Sequence, residues 1–138
     1  MSEYLQILHN SSSSGGFSIS DEALSEINKL FQKYGNTLFS KYTNTLEFRT
    51  NPDVLQVYHS LGRERFSGPY SNILIKTVHS KYKNFIEIAE YDGVEHVEIR
   101  KNDFFIELVR KKVHSSTLSD SQKIEELKSL FNEPEKYI

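Results

Sequence analysis

Asn84-Phe85-Ile86-Glu87-Ile88-Ala89-Glu90-Tyr91-Asp92-Gly93-Val94-Glu95-His96-Val97-Glu98-Ile99 is the stretch on which the fold turns. Asp92-Gly93 is the pair that a two-residue type I′ turn favours, because both turn positions need positive φ. The spacing predicts a hairpin in which Tyr91 faces Val94, Ile88 faces Val97 and Ile86 faces Ile99. One face then offers Ile86, Ile88, Val97 and Ile99 to a core. The other carries Phe85, Glu87, Ala89, Tyr91, Val94, His96 and Glu98. Glu90 and Glu95 oppose each other beside the turn, where solvent tolerates the repulsion.

Working outward, Asn72 to Val78 is rich in β-branched and aliphatic residues and predicts a strand leading into the hairpin. On the far side, Asp103 to Val113 crowds Phe104, Phe105, Ile106, Leu108 and Val109 together and fits either a third hairpin-side strand or a short helix. We favour the strand. Two helices are well punctuated. Ser20 caps the first, over 20–34, with Asp21 and Glu22 at its positive end and Ile19 and Leu24 as a hydrophobic staple. Its stripe is Ala23, Leu24, Ile27, Leu30, Phe31 and Tyr34, and Gly35 stops it. Pro52, after a capping Thr50 or Asn51, opens the second over 52–61, and Gly62 closes it. Val54, Leu55, Tyr58 and Leu61 share one of its faces. Tyr4 to Leu8 reads as a short strand, His9 to Gly16 as a flexible serine–glycine loop, and Thr45 to Phe48 as another short strand. Asn36 to Asn44 follows no period, and Phe66 to Pro69 reads as a turn. Ser119 to Phe131 is an amphipathic helix with Ile124, Leu127, Leu130 and Phe131 as its stripe, closed by Pro134. The expected architecture is α+β: an antiparallel meander of three or four strands over about 71–112, two helices on its core face, and a C-terminal helix. Residues 1–138 are expected to form a single domain, with 115–138 as a helical extension.

The chain's 138 residues bury about 68% of their surface on folding, enough for one core. There are no cysteines, which removes disulfides, thiol catalysis and cysteine-bound metals. No apolar run approaches a membrane span, and no signal peptide is expected where the first apolar stretch is only Tyr4 to Leu8. The net charge of −2 argues against a general grip on nucleic acid. That total conceals blocks. Residues 49–83 carry six cations against two anions, 84–98 carry Glu87, Glu90, Asp92, Glu95 and Glu98 with no cation, and 99–114 carry five cations against two anions. Pairing between neighbouring elements is the expected use of such blocks. The other use is an acidic patch for a cation or a basic partner.

Candidate chemistry concentrates on the hairpin. Glu87 stands opposite Glu98, with His96 one diagonal step from Glu87. Facing carboxylates repel unless a proton, a lysine or a metal lies between them. Glu87, His96 and Glu98 thus form a weak candidate for a divalent metal or for acid–base work by a raised-pKa carboxyl. A solvated sheet face is the simpler account, so no metal, cofactor or catalytic residue is assigned. Ser11 to Gly16 lacks the glycine–lysine–serine/threonine ending of a phosphate loop. The five histidines show no ligand spacing, and no Ser-His-Asp order can be argued. Arg110-Lys111-Lys112 is too short for a nucleic-acid site. Tyr42, Tyr58, Tyr70 and Tyr82 suit base stacking, but no ribonucleoprotein-type motif organises them. Arg49, just before a helix start, gains nothing from the helix dipole. It should pair with a carboxylate, Glu90 or Glu95, or else hold a ligand.

Gly16-Phe17-Ser18-Ile19-Ser20-Asp21-Glu22-Ala23, Arg49-Thr50-Asn51-Pro52-Asp53-Val54-Leu55, Leu61-Gly62, Ser67-Gly68 and Glu90-Tyr91-Asp92-Gly93-Val94-Glu95 follow one another in an order and spacing that resembles a known pattern. It is that of a family of short proteins encoded mainly by large nucleocytoplasmic DNA viruses of algae and amoebae, with Arg-Thr-x-Pro and Glu-Tyr-Asp-Gly motifs. The resemblance spans residues 16 to 99. Asn51 departs from the usual aspartate, the loop 36–44 is long, and the tail after Ile99 is larger than usual. The resemblance implies an origin and no reaction. The expectation is a non-enzymatic viral interaction protein in the infected cell, in host cytoplasm or viral factory, or in the virion. Its partner is expected to be a protein, host or viral, with no membrane contact. Arg49, Glu87, Glu90, Tyr91, Asp92, Glu95, His96 and Glu98 form the candidate surface. The alternatives are a small acidic-face hydrolase, with or without a metal, and an assembly role, including homo-oligomers, through the C-terminal helix.

Overall fold

A computed structural model describes residues 3–33, 35 and 38–137. The expected helix end at Tyr34 and the start of the aperiodic segment at Asn36 and Thr37 lie outside these described residues. The fold is α+β. In chain order come β1 (Tyr4–Asn10), α1 (Asp21–Lys33), α2 (Leu46–Thr50), α3 (Pro52–Leu61), α4 (Arg63–Phe66), β2 (Ile73–His79), a 3₁₀ turn (Ser80–Phe85), β3 (Ile86–Tyr91), β4 (Val94–Ile99), α5 (Lys101–Val113), α6 (Asp120–Asn132) and a short 3₁₀ turn (Pro134–Lys136). They form two compact units, Met1–Glu98 and Ile99–Ile138. No helix among the described residues is long and apolar enough to cross a membrane.

The expected meander is replaced by two separate two-stranded sheets, β1–β2 and β3–β4. The 3₁₀ turn explains the break. His79 Nδ1 accepts from the Lys81 amide at 3.0 Å and ends β2, so the chain turns away before β3 begins. β2 instead takes β1 as its antiparallel partner, in register from Tyr4↔His79 to Asn10↔Ile73. Leu8 and Ile73 then face α1, α2 and α3 across a core that also holds Phe17, Ile19, Ile27, Phe48, Val54 and Phe66. Ile7, on the opposite face by the strand's period of two, is also fully buried. Phe39 meets Phe31 and Phe48 edge-on at ring separations of 4.8 and 5.0 Å, a geometry that aromatic quadrupoles favour.

Local punctuation agrees with the sequence at several points. Ser20 Oγ accepts from the Ala23 amide at 3.0 Å. Asn51 Oδ1 accepts from Asp53 and Val54 at the start of α3, with Pro52 in its first turn. Asp92 and Gly93 have φ of 51° and 84°, the signs a type I′ turn requires. Two strand expectations fail. Thr45–Phe48 becomes the start of α2, because Thr45 Oγ1 caps the Phe48 amide at 3.2 Å. Asp103–Val113 lies in α5, with Asp103 in its first turn and Arg110, Lys111 and Lys112 in its last. Each charge sits where the helix dipole favours it. α6 opens on a capping box between Ser119 and Gln122.

Candidate functional site

Arg49 is the best-buried charge of the first unit, at 2% exposure. It lies in the last turn of α2, where the short helix's free carbonyls favour a cation, and not merely ahead of α3. Its Nη1 and Nη2 donate to Glu95 Oε1 and Oε2, each at 2.7 Å, in a two-pronged pair. Nε donates to the Asn44 carbonyl at 2.7 Å and Nη1 also to that of Leu8 at 3.2 Å. The guanidinium rests 4.0 Å from the centre of the Phe17 ring. Glu95 Oε1 accepts a further bond from the Asn10 amide at 2.8 Å. Burial pushes the Glu95 carboxyl up, but the hydrogen bonds from Arg49 and Asn10 and the charge of Arg49 outweigh it, so its pKa is lowered. The pair therefore joins α2, β1 and β4, and its charges are spent inside the molecule.

The hairpin corrects the expectation on one point. Ile86 is buried, but Ile88, Val97 and Ile99 are only half-buried, and the best-buried residue of β4 is Glu95, at 8% exposure. Glu95 shares strand parity with Val97 and Ile99, so it points to the face expected for the core and not to solvent beside the turn. Glu87, Glu90, Tyr91, Asp92, His96 and Glu98 are exposed. Among the described residues no group of three or more His, Asp or Glu side chains gathers as a metal ion would require, and Glu87, His96 and Glu98 form no such group. His9, beside Glu95 on β1, is half-buried. Burial lowers its pKa, helped by Arg49 and opposed by Glu95, and its Nδ1 has no hydrogen-bond partner among the described residues.

Asn10 organises the segment that composition marks as flexible. Its Nδ2 approaches the carbonyls of Ser12 (3.0 Å), Gly15 (2.8 Å) and Gly93 (3.1 Å), while Oδ1 accepts from the amides of Ser12 and Asn72. Segment 11–16 is thus tied at several points to β1, to the chain before β2 and to the hairpin turn. Further along, Ser18 Oγ and Ser71 Oγ lie 2.8 Å apart, the Gly68 amide donates to Ser18 O at 3.0 Å, and Ser71 Oγ donates to Gly16 O. Gly15 permits a close approach: a Cβ there would lie 2.8 Å from Tyr70 Cβ and 3.0 Å from its carbonyl oxygen.

These ties shape an open cleft of about 270 Å³, floored by Gly15 to Ile19 and flanked by Lys41, Tyr42, Pro69 and Tyr70. Tyr42 is 65% exposed and Tyr70 71%, and Lys41 Nζ sits 5.4 Å from the centre of the Tyr42 ring. Of the four tyrosines noted in the sequence, Tyr82 is buried and Tyr58 is turned inward, its hydroxyl donating to Ile73 O at 2.8 Å. Only Tyr42 and Tyr70 meet at a cleft. Both lie in loops, where no periodicity marks a shared face, so no sequence signal announces that they line one cleft. No protein-family model matches this chain, and neither a curated protein nor a solved structure does.

Proposed function

We propose that the protein is a non-enzymatic interaction protein whose first unit receives a protein partner in the cleft between Tyr42 and Tyr70. The observation that carries this reading is the pair of exposed tyrosines on a floor fixed by Asn10, Ser18 and Ser71. Tyrosine offers a large contact area with little rotamer entropy to lose, and its hydroxyl serves as donor or acceptor at the wet edge of an interface. A floor already held by hydrogen bonds lowers the ordering cost of association. A phosphate-rich partner fits poorly, because Lys41 is the one charged side chain lining the cleft among the described residues and the whole chain is net acidic. The exposed carboxylates Glu87, Glu90, Asp92 and Glu98 lie on the hairpin whose turn is tied through Asn10 to Gly15, so a partner with positive charge beside an apolar anchor suits this side. The resemblance over residues 16–99 adds that the partner is met inside a virus-infected cell, in the cytoplasm or viral factory.

Affinity purification of the tagged chain from infected cells, compared with Tyr42→Ala and Tyr70→Ala, tests the reading. The expected result is a protein retained by the parent chain and depleted at least tenfold in both variants. Identical recoveries from all three chains overturn it.

A further inference from the structure

We propose that the Ile99–Ile138 unit is a self-association device that pairs with the same unit of a second copy of this chain. α5 presents Ile106, Val109 and Val113, and α6 presents Ile124, Leu127 and Phe131. Both triplets are spaced three and then four residues apart, the seam of helices that pack lengthwise on others. Ile106, Val113, Ile124 and Phe131 are 48%, 44%, 53% and 59% exposed. Val113, Ile124 and Leu127 line one surface cleft of about 340 Å³, so the two helices contribute to a common face.

The unit has little else to hold it together. Phe104 and Leu130 are its only buried hydrophobic residues among those described. Phe105 meets Phe131 edge-on at 5.4 Å, and Lys112 Nζ forms an ion pair with Glu126 Oε2 at 2.7 Å, which joins α5 to α6. A unit of about 40 residues usually needs a disulfide, a metal or association to be stable. The sequence has no cysteine, and no metal-binding group gathers among the described residues.

Charge on the rim selects the occupant. The same cleft is bordered by Asp120 and Lys123, opposite charges three residues apart on α6. In a two-fold dimer each contact is made twice, residue i to j and j to i. A face carrying apolar side chains beside one anion and one cation complements itself: Asp120 meets Lys123 of the second copy, and Lys123 meets its Asp120.

The test is the mass of the full chain in solution by sedimentation equilibrium across a wide concentration range. A dimer of the 16.1 kDa chain is expected. Ile124→Glu should weaken it at least tenfold, as should Asp120→Lys alone or Lys123→Asp alone. Mixing the two charge variants should restore a heterodimer, because each then supplies what the other lacks, and that recovery separates a lost contact from a misfolded helix. A parent chain that stays monomeric throughout overturns the proposal, whether its face is free or covered by another protein. So does a dimer indifferent to Ile124→Glu, or one whose charge variants fail to recover on mixing while retaining their helical circular dichroism. Since Tyr42 and Tyr70 lie in the other unit, partner capture through them and dimerisation fail independently.

Discussion

Arg49 and Glu95 show what one residue's surroundings decide. An arginine at the end of α2 with four hydrogen-bonded acceptor atoms and an aromatic face beneath it tolerates burial, provided the carboxylate stays. Removing one partner leaves a buried charge without compensation, which costs about 3–5 kcal/mol. Glu95→Ala should therefore lose that much in urea unfolding, while Glu90→Ala, at an exposed site, should stay within about 0.5 kcal/mol. The need of Arg49 for a carboxylate was legible in the sequence, and so were two eligible acids on the hairpin. Parity puts both on one face, since they oppose each other across the hairpin; Glu95 is the one that meets Arg49, and its Oε1 also accepts from the Asn10 amide of β1. The lowered pKa of His9 means that the unfolded chain binds its proton first, so stability falls as pH drops below the ordinary histidine value of about 6.5. The lowered pKa of Glu95 gives stability present above the ordinary carboxylate range and lost as pH falls through its folded value. Both slopes have the same sign. His9→Gln should flatten the pH 7 to pH 5 portion of the stability curve and leave the steeper acid limb of Glu95 in place.

Among the elements, those with chemical punctuation were readable and those defined by partners were not. Ser20, Asn51-Pro52 and Asp92-Gly93 each fix a local dihedral or satisfy a local amide, so neighbouring residues suffice to recognise them. β1 and β2 were both visible as strands, yet nothing in either said that they would pair with each other across most of the first unit. α5 was obscured because Phe104, Phe105, Ile106, Leu108 and Val109 satisfy both periods, and its acidic start and basic end carried the missing information. Thr45 was a cap hidden ahead of a β-like run. Thr45→Ala should cost about 1 kcal/mol in thermal or urea unfolding, the usual worth of an N-cap. Gly15→Ala makes a different prediction. Its Cβ would collide with the Cβ and carbonyl oxygen of Tyr70, and neither is the free end of a flexible side chain. The variant should keep its helical circular dichroism and yet lose partner capture as Tyr70→Ala does.

For the molecule as a whole, each unit has its own internal logic. The first has a helix-covered sheet, an inner ion pair and a rigid floor beneath two exposed tyrosines. The second is a helix pair with more apolar side chains than it can bury. The length of 138 residues predicts one domain with one core, while the contacts gather into two compact units. The acidic hairpin, the most conspicuous block in the sequence, was expected to be the partner surface itself. One of its carboxylates is instead spent on Arg49, and its turn is bound to the glycine floor. The cleft above that floor is where the proposed partner binds. The most direct test is a backbone amide NMR spectrum of the labelled chain, titrated with the partner recovered by purification. Shifts should concentrate at Gly15 to Ser18 and around Tyr42 and Tyr70, with the amides of β1 and β2 little changed. Shifts confined to other surfaces, or an unchanged spectrum at saturating partner, would contradict it.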